Sequence, residues 1–195
     1  MKIIGITGGV GTGKSKVLAY MEEQFKAVVC QADHVAWELQ RPGEICYKQI
    51  INEFGEHILN QDKTINRPLL GSIVFSDALA LQKLNQIMHP AVKMYILQKI
   101  EEEKTKHTTC FVIEAALLLE THYDEICDEI WYIYTDEATR RNRLKENRSY
   151  TDEKIDAILK SQLSEVSFQE QCDIVIDNSG DFKDTCYQID KVMKF

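Results

Sequence analysis

Short runs of consecutive apolar residues, many of them β-branched, alternate along this chain with longer stretches in which apolar positions recur at helical spacing. Runs of the first kind are typical of strands covered on both faces of a parallel sheet, and the longer stretches are typical of amphipathic helices. We predict strands at residues 2–7, 27–30, 109–115, 129–134 and 173–177, and helices at 13–25 and 181–193. The alternation predicts an α/β fold around a five-stranded parallel sheet.

Two connections in this pattern are too long for a single crossover helix. Between the second and third strands, residues 32–106 carry several helical patterns, including 77–88 and 90–104, which the His89-Pro90 step separates as a helix junction. Between the fourth and fifth strands, residues 137–162 are highly charged and helical. We interpret the first connection as an inserted helical subdomain and the second as a smaller helical insert.

The composition narrows the class of protein. With 44% hydrophobic and 28% charged residues and three prolines among 195 residues, the chain is globular rather than disordered or fibrous. No apolar run approaches the ~20 residues of a membrane span, and no signal peptide is recognisable; we expect a cytoplasmic protein without a membrane partner. A net charge of -8 disfavours nucleic acid as a partner. The six cysteines show no zinc-ligand spacing, so we expect reduced, mostly buried thiols.

A glycine-rich segment between the first strand and the first helix matches the phosphate-binding pattern G-x-x-x-x-G-K-[ST]. Its residues are Gly8, Gly9, Val10, Gly11, Thr12, Gly13, Lys14 and Ser15. Glycines let backbone N–H groups turn toward phosphate oxygens, and the following helix adds its N-terminal partial positive charge. We expect Lys14 to reach the β- and γ-phosphates of a nucleoside triphosphate and the Ser15 hydroxyl to hold Mg²⁺. The alternative, a chance glycine turn, is disfavoured by the flanking strand and helix.

The rest of the chain favours a kinase over a regulatory GTPase. No N-K-x-D guanine signature is present, and the D-x-x-G match at residues 177–180 follows the last strand, too late for a γ-phosphate sensor. A small-molecule kinase needs an acceptor-binding domain and an arginine-rich lid, because phosphoryl transfer depends on positioning and charge neutralisation. The two inserts are candidates for these parts.

The smaller insert contains a strongly cationic segment. Residues 140–148 hold five cations against one anion, a local charge of +4. Arg140 and Arg143 are three positions apart and therefore share a helix face. The segment is either a solvated helix surface or a lid that places at least one arginine on a phosphate, and the glycine loop upstream favours the lid.

Two carboxylates follow predicted strands. Asp33 comes after the second strand, at the edge of the sheet where ligands bind; it either accepts the proton of an attacking hydroxyl or caps the helix beginning near His34. Glu114 ends the third strand and could orient metal-bound water, cap a helix or pair with a lysine. The histidines show no metal-ligand spacing.

These motifs, in this order, resemble the dephospho-coenzyme A kinase family over nearly the whole chain. The likeness comprises IGITGGVGTGKS at 4–15, Ala32-Asp33, Pro42-Gly43, Phe54-Gly55, INRPLL at 65–70, Val74-Phe75, LNQIMHP at 84–90, EAALLLE at 114–120, Gln162 and DIVIDNSG at 173–180. The glycine loop alone fits many enzymes, whereas the motifs in the middle insert are far more specific.

The resemblance implies ATP- and Mg²⁺-dependent phosphorylation of the ribose 3′-hydroxyl of a small-molecule partner, dephospho-coenzyme A, as the last step of coenzyme A synthesis. It implies a three-layer P-loop NTPase fold with a nucleotide-binding core at 1–33, 107–136 and 163–195, a helical acceptor subdomain at 34–106 and a lid at 137–162. The residues that it implicates are Asp33 as base and acceptor contact, Lys14, Arg140, Arg143 and Arg148 on phosphate, Lys16 and Asn178 with the glycine loop on the nucleotide, and Arg67, His89 and Glu114 on the acceptor.

The chain departs from the family pattern at three places. Gln31 occupies a position where many members have aspartate. Glu114 replaces the family's usual aspartate with a side chain one methylene longer, and the proline that usually follows in this segment is absent. Asn147 occupies a position where arginine is frequent, and Arg148 is the next residue. Two alternatives remain open: another P-loop small-molecule kinase, such as a nucleoside monophosphate kinase, and a nucleotide-binding regulator without turnover. The sequence predicts no particular oligomeric state.

Overall fold

The computed structural model describes residues 1–193 and contains the predicted five-stranded sheet. The strands are β1 (Lys2–Thr7), β2 (Val28–Gln31), β3 (Cys110–Glu114), β4 (Glu129–Tyr134) and β5 (Ile174–Asp177). Their order in the sheet is β2-β3-β1-β4-β5. β1 pairs in parallel with β3 and with β4, and β4 pairs in parallel with β5. Residues 194 and 195, which end the predicted nucleotide-binding core, lie outside the described residues.

Helices fill the connections between the strands. They are α1 (Lys14–Phe25), α2 (Ala32–Glu38), α3 (Ile45–Phe54), α4 (Arg67–Ser76), α5 (Ala78–Thr105), α6 (Glu137–Arg148), α7 (Asp152–Ser161), α8 (Glu165–Gln171) and α9 (Phe182–Val192). The chain divides into two compact units, one formed by Met1–Cys30 with the chain from Lys106 onward, the other by Gln31–Thr105. The charged insert that carries α6 and α7 belongs to the first unit.

Helices or loops cover both faces of the sheet in the first unit, which makes it a three-layer structure. On one face, alternate strand residues pack against α1 and α9; this core includes Ile4, Ile6, Val17, Met21, Val112, Trp131, Ile133, Ile176 and Ile189. On the other face, Tyr132 stacks on Phe168 of α8 with ring centroids 4.6 Å apart. Near Gly5 the same face is occupied by Leu118 and Cys127, so closely that a Cβ at Gly5 would lie 3.0 Å from each.

The second unit is helical and centres on α5, which packs against α2, α3 and α4. The prediction of two helices joined at His89-Pro90 is wrong, because α5 runs without interruption through Pro90. Proline removes one helical hydrogen bond and crowds the carbonyl four residues earlier. Apolar residues before and after it, including Met88, Val92 and Ile96, are nevertheless buried. Their packing outweighs the local preference for ending the helix.

The six cysteines are free thiols, as predicted, although only Cys30, Cys46 and Cys110 are fully buried. Cys127, Cys172 and Cys186 are partly buried. Among residues 1–193, none of the helices combines the length and the apolar character that crossing a membrane requires.

Candidate functional site

The glycine-rich segment forms a tight loop between β1 and α1. Gly11 and Gly13 adopt φ values of 87° and 84°, in the left-handed region that favours glycine. Within the loop, both the backbone N–H and the hydroxyl of Thr12 donate to the Gly9 carbonyl, at 3.4 and 3.0 Å. The loop therefore closes on itself at the N-terminus of α1, where the partial positive charge of the helix favours an anion.

Lys14, the first residue of α1, folds back over this loop. Its Nζ donates to the carbonyls of Gly8 and Gly9, at 2.8 and 3.4 Å, and lies 3.7 Å from Oε1 of Glu114. Glu114 comes close because β1 and β3 are parallel neighbours with Ile6 in register with Glu114, so that their carboxyl ends share one edge of the sheet. Of the three roles considered for Glu114, the structure contains the pairing with a lysine.

Arg140 of α6 is buried directly against the glycine loop. Its Nε donates to the Val10 carbonyl at 3.2 Å, and a Cβ at Gly9 would overlap the guanidinium. Burial lowers the pKa of Arg140, but an arginine side chain remains charged at neutral pH. The Arg140 guanidinium is thus a fixed positive charge beside the loop.

Gln162, at the end of α7, links Arg140 to the loop. Its Oε1 accepts from Nη2 of Arg140 at 2.7 Å and from the backbone N–H of Val10 at 3.3 Å. The sequence indicated Gln162 only as part of the family likeness and assigned it no role. Its partners Val10 and Arg140 lie 152 and 22 positions away along the chain, so no local pattern could have identified the contacts.

The other cations of the 140–148 segment divide into two groups. Arg143 faces the loop and donates to the Asn178 carbonyl at 2.8 Å. Arg141 instead pairs with Glu137 and with Asp156 of α7, at 2.7 and 2.5 Å. Arg148 is exposed, and no hydrogen bond described for residues 1–193 joins it to the loop. The lid interpretation therefore suits Arg140 and Arg143, and the solvated-surface alternative suits Arg141.

Asn178 follows β5 and is buried beneath the loop. Its Nδ2 donates to the Thr12 carbonyl at 2.7 Å, and its Oδ1 accepts from the Thr185 hydroxyl at 3.0 Å. The resemblance implied that this residue contacts the nucleotide. In the structure both polar ends of the side chain are used within the protein, which makes Asn178 a support of the loop.

Ser15 and Lys16 lie in the exposed first turn of α1. The Lys16 ammonium lies 5.7 Å from the Phe182 ring centroid. Within residues 1–193 no cluster of three or more histidine, cysteine or acidic side chains could hold a metal ion alone. Mg²⁺ in nucleotide sites takes few protein ligands besides phosphate oxygens and water. An exposed Ser15 hydroxyl beside the loop fits that donor set.

Asp33 lies in the second unit, exposed in the first turn of α2. The alternative that Asp33 caps a helix beginning near His34 is wrong, because α2 begins at Ala32 and Gln31 occupies the N-cap position. Asp33 is thus already helical, and its charge is favourable near the helix N-terminus. Its carboxylate remains accessible to a substrate.

Arg67 and His89 line separate cavities within the second unit. Arg67 lies over the Trp37 ring, 5.0 Å from its centroid, and lines a cavity of about 370 Å³ together with Arg41. His89 lines a cavity of about 440 Å³ together with Asn85. Burial lowers the pKa of His89, so its imidazole is neutral at pH 7 and can both donate and accept hydrogen bonds.

Comparison of the sequence with known proteins identifies the family to which this chain belongs. The family model described as "Dephospho-CoA kinase" matches residues 2–184. Proteins of that name from Shouchella clausii and Halalkalibacterium halodurans are similar to this chain. The first is 36% identical over 95% of this chain and 94% of its own length. The second is 37% identical over 98% of this chain and 95% of its own length.

Solved structures share the fold. A dephospho-CoA kinase from Campylobacter jejuni matches with a TM-score of 0.73 at 24% identity, over 100% of this chain and 96% of that one. The protein TT1252 from Thermus thermophilus matches with a TM-score of 0.83 at 23% identity, over 98% and 96% of the two chains. The family model and the relatives match nearly the whole sequence, loop and inserts included, and the chain accordingly belongs to the dephospho-CoA kinase family.

Proposed function

We propose that this chain transfers the γ-phosphoryl group of ATP to the ribose 3′-hydroxyl of dephospho-CoA, giving CoA and ADP. The observation that supports phosphoryl transfer is that Lys14 and Arg140 both contact one glycine loop at a helix N-terminus. The acceptor is assigned from membership of the family, whose model matches the middle insert as well as the loop.

The triphosphate is proposed to lie on residues 8–15. Lys14 exchanges its bonds to the Gly8 and Gly9 carbonyls for bonds to the β- and γ-phosphates, since charged acceptors make the stronger hydrogen bonds. Arg140, already beside Gly9, neutralises charge that develops on the transferring group without a large rearrangement. Arg143 and Arg148 remain candidates for further phosphate contacts when the nucleotide is bound.

The Ser15 hydroxyl is the proposed protein ligand of Mg²⁺. When bound, Mg²⁺ neutralises charge on the β- and γ-phosphate oxygens. Glu114, which lies beside Lys14 at the same edge of the sheet, is the residue proposed to orient water near the phosphates and to contact the acceptor. Lys16 adds a second positive charge in the first turn of α1.

Asp33 is the proposed general base. The 3′-oxygen of the acceptor attacks the γ-phosphorus, the bond from that phosphorus to the β,γ-bridging oxygen breaks, and ADP leaves with the electron pair. The hydroxyl proton passes to the Asp33 carboxylate, which is exposed and therefore accessible.

The unit formed by Gln31–Thr105 is proposed to hold the acceptor. Two guanidinium groups, Arg41 and Arg67, border one cavity there, and planar guanidinium groups suit the diphosphate of dephospho-CoA. No carboxylate of the described residues forms an ion pair with Arg67, which leaves its charge available for an anion. The neutral His89 offers hydrogen bonds to an uncharged part of the same molecule.

We also propose that the protein works in the cytoplasm. Six free thiols suit a reducing compartment.

A coupled ADP-release assay over a panel of acceptors tests the proposal. Dephospho-CoA, AMP, adenosine and shikimate are compared with a reaction lacking acceptor, and the phosphorylated position in the product is read by NMR. We expect ADP release to depend on dephospho-CoA and the product to carry the 3′-phosphate. Equal turnover of AMP or shikimate would overturn the acceptor but keep the kinase class, whereas ATP binding without turnover would favour the regulator.

A further inference from the structure

The Thr12 carbonyl, in the middle of the glycine loop, is the meeting point of three side chains from distant parts of the chain. Nδ2 of Asn178 donates to it at 2.7 Å, the Thr135 hydroxyl at 3.0 Å and Nη1 of Arg143 at 3.5 Å. Thr12, Thr135 and Asn178 are 1%, 0% and 2% exposed. Because these hydrogen bonds are buried, water does not compete for them, and they fix the orientation of the carbonyl.

The orientation of this carbonyl determines where the next amide points. In a trans peptide the C=O and the following N–H lie in one plane and point in opposite directions, and no cis peptide occurs among the described residues. The Gly13 N–H therefore points away from the Asn178 side chain. No hydrogen bond involving the Gly13 N–H occurs within residues 1–193, so this donor is available to a ligand.

Glycine at position 13 is needed for this arrangement. Gly13 has φ 84° and ψ 21° and is the N-cap residue of α1, and a Cβ there would overlap Nδ2 of Asn178. The Asn178 amide thus occupies the space that the missing side chain leaves. The backbone N–H of Asn178 donates to the Tyr134 carbonyl at 2.8 Å, and this bond anchors the residue at the end of β4.

We propose that Asn178, assisted by Thr135, is a positioning residue that holds the Thr12–Gly13 peptide with its N–H directed at a nucleotide phosphate. The inference rests on the proposed binding of ATP to the loop and extends it to residues that touch no substrate. Asn178 acts through the backbone, since one amide N–H is committed to the Thr12 carbonyl and Oδ1 to the Thr185 hydroxyl. Thr135 shares its single hydroxyl proton between the Thr12 and Tyr134 carbonyls, which lie 3.0 and 2.8 Å away, and is the weaker support.

The test is ADP binding to Asn178→Asp, measured by titration calorimetry at two pH values. An ionised aspartate cannot donate to the Thr12 carbonyl, whereas a protonated one can. We expect ADP to bind about 10- to 100-fold more weakly at pH 8, which corresponds to one lost hydrogen bond to a charged group. At pH 5.5 the ADP affinity of the variant should be closer to that of the unchanged protein at the same pH. Gln188→Glu is the matched control, because within residues 1–193 the Gln188 side chain bonds to the backbone of Asp177 and Asp184 alone.

Thr135→Val and Thr135→Ser keep the inference testable if Asn178→Asp folds poorly. Valine removes the hydroxyl and should weaken ADP binding by about threefold to tenfold, and serine should restore it. In protein labelled with ¹⁵N-glycine, ADP should move the Gly13 amide signal strongly in the unchanged protein and less in Asn178→Asp at pH 8. Unchanged ADP affinity in a folded Asn178→Asp or Thr135→Val variant, with only a lower melting temperature, would overturn the inference. Tight ADP binding by the unchanged protein without phosphorylation of dephospho-CoA would instead overturn the proposed function alone.

Discussion

At the scale of single residues, neighbouring arginines on α6 have different environments. Arg140 is buried against the loop, whereas Arg141, the next residue, pairs with acidic side chains at the surface. Exposed ion pairs of that kind contribute little free energy. A charge fixed beside a phosphate before the reaction begins can stabilise the transition state, because no reorganisation is required.

We therefore predict different effects of the same substitution at the two positions. Arg140→Lys keeps the charge but loses the planar group that reaches both Val10 and Gln162, and kcat should fall about 10²- to 10³-fold. Arg141→Lys, the matched control, should leave kcat within about twofold. Steady-state kinetics with saturating ATP and dephospho-CoA provide the measurement. Equal losses at both positions would show that α6 acts through its net charge rather than through Arg140.

Asp33 provides the second prediction at this scale. Asp33→Asn keeps the size of the side chain and removes its capacity to accept a proton, so kcat should fall about 10²-fold or more. ATP affinity should be unchanged, because the proposed role concerns the acceptor hydroxyl. Kinetics and ATP titration separate the two quantities, and Glu101→Gln on α5 is a matched acid-to-amide control. Near-normal turnover would leave Asp33 with only a favourable charge at the start of α2.

At the scale of elements, α5 shows how tertiary packing can overrule a local signal. Pro90 lies inside this helix, where proline is unfavourable, whereas Pro68 lies in the first turn of α4, where proline is well tolerated. α5 continues because it packs against three other helices of the second unit. That packing offsets the unfavourable free energy of a proline inside the helix.

Two proline substitutions test this account. Pro90→Ala should raise the free energy of unfolding by about 1–3 kcal/mol, since alanine restores a helical hydrogen bond and removes the clash. Pro68→Ala should produce no such gain. Urea unfolding followed by circular dichroism measures both. A loss of stability in Pro90→Ala would indicate that the packing of α5 requires the geometry that proline imposes.

At the scale of the whole molecule, burial of weakly acidic groups links stability to pH. Burial raises the pKa of Cys110 to about 11, of Cys127 to about 12, of Cys172 to about 11 and of Tyr132 to about 12. The ordinary values are 9.0 for cysteine and 10.0 for tyrosine. The folded protein therefore keeps these protons at pH values where the unfolded chain has lost them.

The free energy of unfolding should therefore fall at alkaline pH. The contribution of these four groups to the free energy of unfolding is fully present below about pH 8. It is lost as the pH rises from about 9 toward 12. Cys127→Ser should reduce the decline of the unfolding free energy between pH 9 and 11 by up to about 1.4 kcal/mol per pH unit. Urea titrations with a reductant present, at intervals of one pH unit, provide the measurement. An identical slope in the variant would show that other groups control alkaline unfolding.

Much of this protein is determined by patterns that are local in the sequence. The strands could be predicted to within one residue at each end, because residues buried on both faces of a sheet form continuous apolar runs. The glycine loop could be predicted because few residues adopt its backbone angles. The family could be identified because its motifs recur in a fixed order along the chain. α8 was not predicted, since it is short and buries only Phe168.

Only the tertiary structure decided which side chains meet. Lys14 pairs with Glu114, Arg140 with Gln162, and Asn178 with the Thr12 carbonyl. Each contact joins separate elements of the first unit that packing brings together, so it depends on strand order and packing rather than on local composition. Continuation of α5 through Pro90 has the same origin. The sequence by itself thus determined the loop that receives phosphate, and the packing of β4, β5 and α6 around that loop decided which residues hold it in place.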